Sequence, residues 1–143
     1  MIILMDKKFL KKIIAQSTED LQIISACCSE AKVKISDIKY LPSSKIFLIS
    51  LLRIDKENER KKKTINSIIK FEFIESSKSK NINQNNINLL LELLAIDIFK
   101  RNNKFEITLL FSKNRFITLT TEVIEVTLED QNLEYAKSNK LQK

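Results

Sequence analysis

The chain is 143 residues long, with 25 Lys and Arg against 18 Asp and Glu, a formal charge of +7, and neither histidine nor glycine. Without histidine there is no Ser-His or Cys-His nucleophilic pair, no imidazole general base and few routes to a zinc or iron site. Without glycine neither a Walker loop nor a Rossmann turn can be built, because both press backbone amides against phosphate.

Met1–Met5 is apolar but too short for a signal peptide, and no apolar run approaches the roughly 18 residues of a membrane helix, so a soluble, cytoplasmic protein without a membrane partner is expected. Phe9 to Ala15 reads as a short strand. Ser17 or Thr18 then caps a helix with acids in its first turn, and Leu21, Ile24, Cys28 and Ala31 form one helical face, placing its end near Ala31. The adjacent Cys27 and Cys28 point in different directions on a helix, so they read as free thiols. Val33, Ile35, Ile38 and Tyr40 look extended, with a slip of register at Ser36-Asp37, and Leu41-Pro42-Ser43-Ser44 is a turn.

Lys45 to Ile54 is apolar on both faces, as a central strand should be, and a charged loop follows. Ile69, Phe71 and Phe73 alternate with Lys70 and Glu72 and predict a strand with one buried side. The aromatic-x-aromatic spacing also suits base stacking, but buried phenylalanines explain it better. Ser76 to Asn88 reads as a surface loop and Leu89 to Phe99 as a strand. Arg101-Asn102-Asn103-Lys104 and Lys113-Asn114 are hairpin turns, with asparagine replacing glycine where φ must be positive. Phe105, Ile107, Leu109 and Phe111 face one way, Phe116 to Val126 returns, and the polar segment from about 129 to 143 is expected to fray. Together these segments predict a single domain over 1–143 of α+β class. One N-terminal helix packs on a curled, mainly antiparallel sheet of six or seven strands, of which a pleckstrin-homology-like roll or a split barrel is one version.

The positive charge has two readings. Lys (21), Asn (12) and Ile (22) are abundant while Arg is only 4, the signature of A/T-rich codons rather than of bidentate phosphate recognition. The densest basic stretch, Arg60-Lys61-Lys62-Lys63, is preceded by Asp55, Glu57 and Glu59 and reads as a solvated loop. Glu122, Glu125, Glu129 and Asp130 cluster in sequence and read as surface acids, and Asp97 is placed on the exposed side of its strand.

In order and spacing the chain resembles an uncharacterised alphaproteobacterial family, the domain of unknown function 2948. The resemblance rests on Thr18-Glu19-Asp20-Leu21 with Ser25-Ala26, Tyr40-Leu41-Pro42, and Arg53 and Asp55 before a basic loop. Phe71-Glu72, Leu93-Leu94-Ala95-Ile96, Glu122-Val123-Ile124-Glu125 and Leu128-Glu129-Asp130 complete it. It implies no activity, substrate or cofactor. The residues themselves point to a non-catalytic protein-interaction module that uses no cofactor and meets a protein partner through a sheet edge or the loop bearing Arg53, Arg60, Lys61, Lys62 and Lys63. The alternatives are a nucleic-acid-binding accessory protein using that loop and, third, an enzyme built on carboxylates and lysine.

Overall fold

In the computed structural model, which describes residues 2–5, 10–56 and 63–131, the Ser17 hydroxyl accepts a hydrogen bond from the Asp20 backbone amide at 3.2 Å and opens helix α1, Thr18–Cys28. This fills one of the orphan donors of the first turn, where Glu19 and Asp20 also favour the positive end of the helix dipole. Leu21, Ile24 and Cys28 are its buried stripe. The helix stops at Cys28 rather than near Ala31. Glu30 takes a φ of 70° and turns the chain, so Ala31 is buried as the first inward residue of a strand.

The strands are β1 (Ile2–Met5), β2 (Leu10–Ala15), β3 (Ala31–Lys34), β4 (Ile38–Leu41), β5 (Ile46–Ile54), β6 (Thr64–Phe71), β7 (Ile74–Lys80), β8 (Leu90–Arg101), β9 (Lys104–Phe111), β10 (Arg115–Thr121) and β11 (Val126–Asp130). Ten of them follow one path, β1-β2-β11-β6-β5-β3-β8-β9-β10-β7, and β4 pairs with β5 beside it. Among the described residues the sheet therefore has eleven strands, not the six or seven expected, although one helix on a curled antiparallel sheet is retained.

The additional strands have local causes. The slip at Ser36-Asp37 is a 3₁₀ turn, Ile35–Asp37, that breaks one extended segment into β3 and β4. Residues expected to loop from Ser76 instead continue β7, because β10 supplies a pairing partner from Ile74↔Thr121 to Lys80↔Phe116. The segment from Phe116 to Val126 is two strands, interrupted between Thr121 and Val126. Glu129 and Asp130, expected in a fraying tail, complete β11 and pair with Lys12 and with Ile68 and Ser67.

Elsewhere local chemistry and structure agree. Asn102 and Asn103 (φ 51° and 64°) and Lys113 and Asn114 (φ 63° and 58°) take the consecutive positive φ values of tight hairpins. The Pro42 turn closes with Ser44 N to Leu41 O and Lys45 N to Pro42 O, both 3.2 Å. Inward residues of β5, β6 and β9 meet in one core, where Phe47 and Phe71 pack edge to face with centroids 5.8 Å apart. Asp97 is exposed, as its sequence position suggested.

Phe73 departs from the expected alternation. While Phe71 is fully buried, Phe73 is 54% exposed, because the chain turns there with φ 61° to pass from β6 into β7. Its carbonyl is held by the Thr121 hydroxyl at 2.8 Å. A left-handed conformation costs a bulky residue about 1–2 kcal/mol. Phe73→Gly is accordingly expected to raise stability in urea denaturation by up to about 1 kcal/mol, the rest being lost to glycine's freedom in the unfolded chain. A loss above about 1 kcal/mol would show instead that the ring contributes packing that its exposure does not suggest.

Candidate functional site

The residues singled out by sequence do not come together as a surface. Arg53 lies within β5 and is buried, not on a loop, so its guanidinium is not presented to a partner. Lys63 is exposed at the start of the return to β6, with its carbonyl oxygen accepting from Asp55 N at 2.8 Å, and Arg60, Lys61 and Lys62 lie outside the described residues.

What Arg53 does instead follows from the strand alternation. Val126, Leu128 and Asp130 all point inward on β11, and Arg53 points inward on the strand two places away in the sheet. The two side chains, 2% and 0% exposed, form a two-pronged ion pair. Arg53 Nη2 donates to Asp130 Oδ2 at 2.6 Å and Nε to Oδ1 at 2.9 Å. The Ser67 hydroxyl on β6 adds a 2.6 Å bond to Oδ1, and the Lys11 backbone amide on β2 a 3.0 Å bond to Oδ2. Burial alone would raise the Asp130 pKa. The donors from Arg53, Ser67 and Lys11 outweigh it and hold the carboxyl below its ordinary 3.8. Burial likewise works against the Arg53 charge, but the Asp130 hydrogen bond and negative charge win and hold its pKa above the usual value.

This cluster fastens β2, β11, β6 and β5 together. Every oxygen of the carboxylate is already used, so it has no vacant position for a reactant. The other candidate acids are dispersed: Glu122 is exposed, while half-buried Glu125 accepts from Gln16 Nε2 at 2.9 Å. Cys27 and Cys28 are free thiols, as the sequence implied, and burial, reinforced by the neighbouring Cys27, pushes the Cys28 thiol up to about 12, far from a nucleophilic thiolate. Among the described residues no three His, Cys, Asp or Glu side chains converge to hold a metal ion, and no helix is long and apolar enough to cross a membrane.

A built cavity lies where the curled sheet fails to close. β4 pairs only with β5 and β7 only with β10 among the described residues, so an unpaired edge of each borders a window of about 330 Å³. Ile38 and Tyr40 line it from β4, and Ser77 and Ser79 from β7. Buried Phe47 and Ile117 form the floor, and Ile82, Gln84 and Ile87 reach in from the loop between β7 and β8.

Both ends of the window are tied. At one, the Tyr40 hydroxyl donates to the Ile74 carbonyl at 3.0 Å and Ile74 N donates to Lys45 O at 2.8 Å. At the other, Ser36 N donates to Ile87 O at 3.2 Å and Ile35 N to Leu89 O at 3.1 Å. Gln84 Nε2 holds Ser79 Oγ at 3.0 Å, binding the loop to β7. Sequence reasoning missed the window because its walls come mostly from serine and isoleucine, with Tyr40 and Gln84, in three separate segments, residue types that carry no motif.

A second hollow, of about 470 Å³, lies beside β3, β5 and β6 and includes Lys32, Lys34 and Asp37. It is the charged counterpart of the window, and Lys32 there is already engaged by Glu92.

Comparison with known proteins adds kinship rather than chemistry. No curated protein matches the chain. A solved structure, that of an uncharacterized protein from Neisseria gonorrhoeae, overlays with a TM-score of 0.41 and 13% identity, covering 68% of this chain and 90% of that one. The family described as "Protein of unknown function (DUF2948)" matches residues 11–142, nearly the whole length, and the chain belongs to it.

Proposed function

We propose that this protein is a non-catalytic binding module whose recognition site is the window between β4 and β7, rather than the basic loop after β5. The observation that supports this reading is the chemistry of the window. None of its lining side chains is charged at neutral pH, so it offers apolar contact and hydrogen bonds but no acid, base or strong nucleophile poised for reaction. The buried Arg53 and Asp130 charges are spent on one another. A protein partner reached through a sheet edge fits the same reading only where an edge is open, and the β4 and β7 edges that border the window are tied at both ends.

The test uses 2-naphthol, a neutral fluorescent probe of suitable size. Saturable one-to-one binding is expected, lost in Ser77→Phe and in Ser79→Phe, two substitutions that fill the window from an edge strand where an aromatic residue is well accommodated. Circular dichroism of both variants establishes that they fold. Equal binding by the folded variants would overturn the site. Ester or phosphate-ester turnover by the wild type, abolished by Ser77→Ala, would overturn the non-catalytic reading.

A further inference from the structure

The geometry points to a ligand class for the window: a small uncharged molecule with an apolar body and one hydrogen-bonding head. This rests on the window being the recognition site and adds what it recognises. Size sets the first limit. At the roughly 30 Å³ that a water-sized group occupies in a liquid, about 330 Å³ holds about eleven non-hydrogen atoms. The closed ends set the second. β4 beside the window spans only Ile38–Leu41, about 13 Å of strand at the usual rise, and the Tyr40–Ile74 and Ser36–Ile87 hydrogen bonds tie the two ends of the window. A peptide strand running through would have to break both, whereas a compact molecule need break neither.

Charge sets the third limit, and here two effects oppose each other. The chain carries +7 overall, which draws anions towards the protein from a distance. Among the described residues that line the window there is no lysine or arginine to receive an anion and no carboxylate to receive a cation. The lining offers Ile35, Ile38, Ile82, Ile87 and Ile117 with the Phe47 ring. A buried charge without a partner loses far more hydration than screened distant lysines return. The neutral ligand therefore wins. The polar contacts available to its head are hydroxyls and an amide: Ser36, Ser77 and Gln84 beside Tyr40. The Ser77 hydroxyl has no hydrogen-bond partner among the described residues, and it sits half-buried on the edge strand, where a ligand hydroxyl or carbonyl can complete it.

The experiment compares three probes of one chain length, 1-octanol, octanoate and octylammonium, as competitors of bound 2-naphthol at pH 7. The expected result is that 1-octanol displaces the dye at a concentration about tenfold or more below that of either charged probe. Ser77→Ala is expected to narrow that gap, by removing a hydrogen bond available to the head group. Octanoate displacing as well as or better than octanol would overturn the ligand class, by showing that the surface lysines govern the site, while leaving the window as a site. Failure of 2-naphthol to bind at all, or binding untouched by Ser77→Phe, would instead defeat the reading beneath it.

Discussion

Replacing Arg53 with alanine is expected to cost about 3–5 kcal/mol of folding stability, because it leaves the Asp130 carboxylate buried without its cation. Arg53→Lys is expected to recover little, since an ammonium cannot reproduce the two-pronged geometry. The double change Arg53→Met with Asp130→Leu is expected to be much less harmful than Arg53→Ala, because no charge is left unpaired. Urea denaturation of the three variants measures all of this. A loss below about 1 kcal/mol in Arg53→Ala would mean that water reaches the pair and screens it.

The same cluster dictates the acid limb of stability. The Asp130 pKa is lower in the folded protein than in the unfolded chain, so its contribution is complete above the ordinary carboxylate value of 3.8 and is lost as pH falls through the lowered folded value. Asp130→Asn is expected to be the weaker protein at pH 7 and to flatten this part of the acid limb. Parallel stability-against-pH curves for the two proteins below about pH 4 would contradict the assignment.

The second large effect belongs to the core. Phe71→Ala is expected to cost about 3–5 kcal/mol, through lost burial and the cavity left against Phe47. Two residues later the same side chain, Phe73, is exposed at a left-handed turn, and Phe73→Gly is expected to stabilise. Opposite signs for two phenylalanines in one tripeptide test the break between β6 and β7 directly. If Phe73→Gly and Phe71→Ala cost the same, the strand runs on through Phe73.

That pair also shows where the sequence was legible. Alternation over Ile69, Phe71 and Phe73 is a true strand signal, yet nothing in it marks the end of the strand. The corner is imposed by β10, whose pairing draws the next residues into β7. β7 itself, Glu-Ser-Ser-Lys-Ser-Lys after Ile74, has a single buried apolar residue, as suits an edge strand, and such a segment looks like a loop until its partner is known. The caps and hairpins were readable because their chemistry is local. Ser17 needs only Asp20, and Asn102-Asn103 needs only its own tolerance of positive φ.

The helix end is ambiguous in the sequence because Ala31 satisfies two periodicities, as the next helical position and as the first inward strand position. Arg53 and Asp130 look like surface charges when each is read locally, although a usable signal is present in the sequence. Asp130 continues the inward alternation of Val126 and Leu128, and Arg53 interrupts an apolar run, so two opposite charges at core positions called for one another. Their meeting spans 77 positions, which local reading does not reach. The window was illegible for a different reason. It is the absence of a strand pairing between β4 and β7, a property of the assembled sheet and of no segment alone.

Backbone amide NMR of the protein titrated with 2-naphthol tests the binding-module account most directly. The account predicts shift changes that concentrate on Ser36–Tyr40, Ser77, Ser79 and the Ile82–Ile87 loop, saturate together, and vanish in Ser77→Phe. Changes centred on the basic segment after Ile54, or on Lys32 and Lys34 beside the second hollow, would contradict it.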